Sequence, residues 1–503
     1  MFIIIHKRNT SQQITDFSKL NDNYMVFNSF NFWLIFPFIF AIYWLIPRTY
    51  NSLRKLFLVI VSYLLYMNWD PAFSLVLAGV TLITYWGGYF IGFTKITNKR
   101  KLLFGCFVVL GVLPLIIFKY YNFINDSITS GLEFLGLHFS LPGLNWAIPV
   151  GISFYTFQAI GYLMDVYKRR ITSEKNLLDY ALFVSFFPQV TSGPISNGTE
   201  LLPQIKAPHP FLYKQGKEGL KLLLWGMFLK CVVADRLGMY VDTVYGNYEH
   251  FSGLNCFVAS IFYTIQIYGD FAGYSLMAIG IAKTLGFDLV NNFKRPYFAT
   301  SITEFWHRWH ISLTRWLTTH VYINLGGSRC SKAKQYWNIL VTFLVSGLWH
   351  GANWTFVVWG LFHGVIQIIE KVLGIDPKGR NFERLNSVFV LRPIRIMATF
   401  LLVNFAWIFF RMPTINDAIG MIERMFASFG GQVILEKANN ADKLFIVIAL
   451  LTLVSVEIWT EYFHDKVKMF NCRYVRFCAY IVLFCMIISM GVLDASSFIY
   501  VSF

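Results

Sequence analysis

Two histidines have surroundings from which chemistry can be drawn. His350 lies in Val345-Ser346-Gly347-Leu348-Trp349-His350-Gly351-Ala352-Asn353-Trp354, between two strongly apolar segments. An ionisable ring at membrane depth is costly, and it faces a cavity or a partner. Gly347 and Gly351 thin the backbone on either side, so another chain or a substrate can come close. The same pattern fits a packed histidine bonded to a neighbouring carbonyl, the more common fate of a lone buried imidazole. His310 lies forty residues earlier beside Trp309. Two such rings, each next to a tryptophan and each where an apolar pattern breaks, can converge on one site. Imidazole is the natural general base near neutral pH, and a hydroxyl needs a base to become a competent nucleophile. His307 and His310 have a spacing that suits a metal, but no carboxylate or thiolate set completes it, and no metal is expected. No GxSxG, HExxH or P-loop run occurs, which leaves serine-hydrolase, zinc-protease and ATPase chemistry without support.

The elements that position these rings must be helices in lipid. Of 503 residues, 56% are hydrophobic, 18% aromatic and 14% charged, against roughly 25% charged in an ordinary soluble domain. A water-soluble chain of this length cannot hide so much apolar surface, whereas a bilayer accepts it outside. The net charge of +16 reads as basic loops beside membrane helices rather than as nucleic-acid binding. It gathers in short runs such as Lys99-Arg100-Lys101 and Lys168-Arg169-Arg170.

Apolar segments recur near residues 30–47, 53–69, 72–93, 102–119, 147–165, 177–190, 219–234, 254–284, 336–349, 351–372, 394–410, 443–463 and 474–493. The expected fold is therefore an all-α polytopic bundle of roughly 11–13 membrane segments, some of them re-entrant. Pro188 and Gly193-Pro194 break the 177–190 segment. Loop charge puts Lys99 and Arg169 in the cytoplasm, and Asp70, the start of the first span and the C-terminus outside. No repeat or long linker divides the chain.

Residues 291–335 are too polar to span simply, yet they carry Trp306, Trp309 and Trp316 among His307, Arg308, His310 and Arg315. Helical spacing puts Trp306, Trp309 or His310, and Leu313 on one stripe. Two readings fit: an interfacial helix with indoles at headgroup level, or a helix that dips inward and lines a polar chamber. The seven cysteines are odd in number and widely spaced, and they read as free thiols. Residues 1–24 hold no apolar run of useful length, so they read as an N-terminal extension, either a misread upstream start ahead of Met25 or a disordered tail. Residues 25–503 then form a single domain.

Three blocks carry a resemblance: Asn292-Phe293-Lys294-Arg295-Pro296-Tyr297, Ser301-Ile302-Thr303-Glu304-Phe305-Trp306-His307-Arg308-Trp309-His310-Ile311-Ser312-Leu313, and Tyr322-Ile323-Asn324-Leu325-Gly326-Gly327-Ser328-Arg329. With Gly347-Leu348-Trp349-His350-Gly351 and the opening Met25-Val26-Phe27-Asn28-Ser29-Phe30, they resemble the membrane-bound O-acyltransferase family. The match is nearest to its bacterial alginate O-acetylation branch, with teichoic-acid D-alanyl transfer proteins as cousins. It runs from about Met25 to Arg411.

That resemblance implies a bundle around a central funnel or tunnel, with His350 and His310 as the catalytic histidines at a mid-membrane chamber. It transfers no role to His307 and leaves Cys330 incidental. Asp270, in Tyr268-Gly269-Asp270-Phe271-Ala272-Gly273-Tyr274, either orients an active-site group or braces helices. The implied function is transfer of an acyl group, most readily acetyl, from a cytoplasmic thioester such as acetyl-CoA to an exoplasmic hydroxyl. The implied setting is the bacterial inner membrane, and no tightly bound cofactor is expected. A separate exported enzyme would then decorate a polysaccharide. The rival within this chemistry is D-alanyl transfer fed by an acyl-carrier protein. The rival outside it is a proton-coupled transporter or flippase, which would show inverted repeats that this sequence lacks.

Overall fold

The computed structural model describes residues 26–138, 141–427, 430, 440–463 and 472–492. The expectations for residues 1–24 and for a start at Met25 lie outside the described residues. Regular structure among the described residues is helical, with no strand, and the chain is an all-α polytopic bundle. Six helices are long and apolar enough to cross a membrane: Pro71–Phe93, Thr97–Phe134, Trp354–Leu373, Leu391–Arg411, Asn440–Tyr462 and Arg473–Met490. Phe30–Leu45 and Arg48–Met67 add a pair bent by 101°. These helices turn apolar side chains outward, as lipid permits.

Three other apolar segments, 147–165, 177–190 and 254–284, lie largely inside. Ile152–Tyr167, and Gly253–Thr284 from Gln266 onward, bury side chains around nearly their whole circumference, the mark of a helix in protein rather than at its surface. The 177–190 segment breaks where Pro188 led one to expect, into Leu177–Ser185 and Phe187–Val190.

Without a hydrophobic drive between helices in lipid, close packing depends on small residues. Tyr213–Met227 and Gly253–Thr284 meet through Gly219 against Gly280 and Gly226 against Gly273. A Cβ at Gly226 would stand 2.7 Å from the Gly273 carbonyl oxygen, so a side chain there forces the helices apart.

Buried charge is tied down in pairs. Lys55 bonds Asp179, joining Asn51–Met67 to Leu177–Ser185. Lys230 bonds both Asp235 and Asp270 at 2.6 Å. Asp270 thus has a cation as its partner and braces helices, the second of the two roles open to it.

The Thr97–Phe134 helix widens at Ile116–Tyr120 into a π turn, two residues after Pro114. Pro114 lacks only its own bond back to Leu110, which lies in the turn before it and not in the π turn.

Candidate active site

His350 is the last residue of the Lys332–His350 helix, and the backbone turns extended at Gly351. Asn353 then caps Trp354–Leu373, its Oδ1 accepting from Thr355 N at 3.0 Å. The two helices form a tight hairpin because Gly347 and Gly360 let their backbones touch. A Cβ at Gly347 would collide with the Phe356 carbonyl, and one at Gly360 with that of Phe343. Of the two things Gly347 and Gly351 could admit, another stretch of chain or a substrate, it is the returning helix that comes close, through Phe356.

His310 is placed by a different device. The stripe from Trp306 to Leu313 is not one helix: Ile302–Arg308 and Ile311–Leu317 meet at His310, whose φ of 42° is left-handed. A non-glycine residue held there costs on the order of 1–3 kcal/mol, so its surroundings must over-determine it. Asn292 supplies that constraint. Its carbonyl oxygen accepts from Ser312 N (3.2 Å) and Ser312 Oγ (2.9 Å) and lies 3.1 Å from His310 Nδ1. Its backbone oxygen takes Ile311 N at 2.9 Å. Because Ser312 N can only donate, the atom facing His310 is an acceptor, and Nδ1 carries the proton. In the neutral ring Nε2 then holds the lone pair. It has no hydrogen-bond partner among the described residues.

The two imidazoles converge. Their ring centroids are 6.3 Å apart, and both rings are buried. Trp349 stands 5.5 Å from His310 and 4.8 Å from His350, Phe271 meets His310 edge-on at 4.7 Å, and Trp359 and Phe410 flank His350 at 5.0 and 5.2 Å. Trp306, Trp309 and Trp316 are all buried, which decides between the two readings of that stretch. It dips into the protein, and the wall it builds is aromatic more than polar.

A cavity reaches His350, lined also by Lys119, Pro149, Gly151, Ser153, Phe154 and Trp349. His307 is exposed and stands outside this chamber. Cys330 follows the Gly-Gly-Ser-Arg turn, its thiol directed at Gly327 O at 3.4 Å.

Three residues of the chamber escaped the sequence reading. Asn292 opens an otherwise apolar-basic run and gives no sign in the sequence of its contact with His310. Lys119 ends the apolar run 102–119 and so reads as a cation at the edge of a span. His363, fully buried and 4.9 Å from Trp359, which also flanks His350, could have been found by the argument applied to His350: an ionisable ring in an apolar run.

Residues 168–411, which include both histidines, match the model of the MBOAT, membrane-bound O-acyltransferase family. The chain is 38% identical over 438 residues to the probable alginate O-acetylase of Pseudomonas putida, covering 85% of this chain and 86% of that one. The chain belongs to the membrane-bound O-acyltransferase family. It is 34% identical over 399 residues to the peptidoglycan O-acetyltransferase of Helicobacter pylori (74% of this chain, 73% of that one). It is 26% identical over 333 residues to the teichoic acid D-alanyltransferase of Streptococcus thermophilus (62% and 76%). As a member of this family the chain is an O-acyltransferase and a multi-pass membrane protein. Membership sets the transporter reading aside.

Proposed function

We propose that this O-acyltransferase moves an acetyl group from a cytoplasmic thioester, acetyl-CoA or a comparable donor, to a hydroxyl on the exoplasmic side of the bacterial inner membrane. The product chemistry is O-acetylation of a surface or exported polysaccharide, completed by a separate exported enzyme. The observation that carries the reading is the pairing of His310 and His350 in one buried aromatic chamber, with a cavity leading to His350. The relatives that act as O-acetylases support acetyl as the group moved.

In this reading His350 takes the proton of the acceptor hydroxyl as its oxygen attacks the thioester carbonyl carbon. A C–O bond forms, the C–S bond breaks, and the proton passes to the departing thiolate. The aromatic walls exclude water, so the thioester is not hydrolysed instead. His310, with Nδ1 committed to Asn292, offers Nε2 as an acceptor for a hydrogen bond or a proton from the reacting groups. A neutral ring held this way presents a lone pair and not an N–H to the reacting groups, so His310 serves as an acceptor rather than as a donor that steadies the oxyanion. Asn292 acts as its positioning residue.

Ester analysis of surface glycan tests the proposal. A deletion strain should lose alkali-labile acetate and regain it with the wild-type chain but not with His350→Ala. Loss of D-alanine esters instead would move the substrate to carrier-fed D-alanylation. Unchanged esters of both kinds would refute the reading.

A further inference from the structure

A buried lysine lies beside His350, and the transfer chemistry above makes no use of it. Lys119 Nζ donates to Trp349 O at 2.8 Å, to His350 O at 3.0 Å and to Ser153 Oγ at 3.2 Å. The next residue acts on the same target: Tyr120 Oη donates to Leu348 O at 2.7 Å. Together they collect three consecutive carbonyls at the C-terminal end of the Lys332–His350 helix. The last carbonyls of a helix have no partner within it and carry its negative end. Here they would otherwise be stranded at membrane depth.

Consecutive residues of a regular α-helix point about 100° apart and do not serve one target together. Lys119 and Tyr120 lie in the π turn Ile116–Tyr120, where each turn holds more residues and the angle between neighbours closes. A π turn of this kind, placed after Pro114, is what allows both side chains to face the helix that carries His350. Lys119 also lines the cavity that reaches His350, and Ser153, its third partner, accepts from Trp349 Nε1 through its carbonyl at 3.3 Å.

We propose that Lys119 and Tyr120 form a clamp that fixes the end of the Lys332–His350 helix and so aims the His350 imidazole at the acceptor: they are positioning residues for acyl transfer. The inference rests on the reading of His350 as the group that takes the acceptor proton.

The test uses the full-length chain in a deletion strain. It reads the initial rate of ester appearance on surface glycan, divided by the amount of folded protein extracted from the membrane. Lys119→Met keeps the length and removes the donors; its rate per folded molecule should fall at least tenfold. Lys119→Arg restores donors and should recover a rate well above that of Lys119→Met. Tyr120→Phe removes a single bond and should lower the rate two- to fivefold at full abundance. A purely structural lysine would lower abundance and thermal midpoint while leaving the rate per folded molecule unchanged, and that result overturns the clamp. If Lys119→Met does not accumulate, Tyr120→Phe decides: a wild-type rate overturns the proposal and a reduced one supports it. His350→Gln runs in parallel. An active His350→Gln removes the reading on which the clamp rests. An inactive His350→Gln beside a wild-type Lys119→Met rejects the clamp alone.

Discussion

Two buried lysines sit on two π turns of this bundle, and their partners differ. Lys230, in Phe228–Ala234, meets two carboxylates, Asp235 and Asp270. Lys119, in Ile116–Tyr120, meets two carbonyls and a hydroxyl, and no carboxylate bonds it among the described residues. A charge at membrane depth is tolerated when its bonds are made, and the choice of partner shows what it serves. Lys230 has counter-charges from its own segment and from the long Gly253–Thr284 helix, so it joins elements. Lys119 has only dipoles, and they belong to the helix end that bears His350. The first arrangement is a brace; the second is the proposed clamp on His350.

The comparison breaks most visibly at the brace. Lys230→Met leaves two carboxylates without their buried cation, and breaking such a group typically costs ~3–5 kcal/mol. The expected outcome is a large loss of protein from the membrane fraction, read by quantitative blot, with near-normal activity in whatever folds. Normal abundance with lost activity would place Lys230 in the chemistry instead.

The next effect belongs to Asn292. Its carbonyl oxygen sets the His310 tautomer, so Asn292→Ala should lower the rate per folded molecule by roughly tenfold to a hundredfold, as loss of an orienting partner does elsewhere. Asn292→Asp keeps the acceptor and should retain more activity. Equal activity in the two variants would contradict the tautomer argument.

The smallest effect is at His307. It is exposed on the Ile302–Arg308 helix, away from the chamber, and His307→Ala should leave ester formation within twofold of wild type. A loss comparable to that of His310→Ala would move the site outward.

What was legible in the sequence follows from what each residue needed. Apolar runs and basic loops are properties of single segments, and they gave the helical bundle. His350 and His310 stood out because an ionisable ring in an apolar run is conspicuous before any contact is known. The stripe from Trp306 to Leu313 misled because its period runs smoothly through His310. The left-handed break there is imposed by Asn292 from another segment, and a histidine, unlike a glycine, announces no such turn. Lys119 was hidden by a boundary. Placed at the end of an apolar run, it reads as a cation reaching for the interface, whereas the helix continues to Phe134 and carries it inside.

The central claim is that His350 moves a proton rather than fills space. His350→Gln tests it most directly, because glutamine keeps the hydrogen-bonding capacity and close to the bulk but cannot act as a base near neutral pH. Ester formation on surface glycan, measured per folded molecule, should fall by ~10²–10⁴-fold, the usual contribution of a positioned general base, while membrane abundance stays near wild type. Near-wild-type ester formation by His350→Gln would contradict the account.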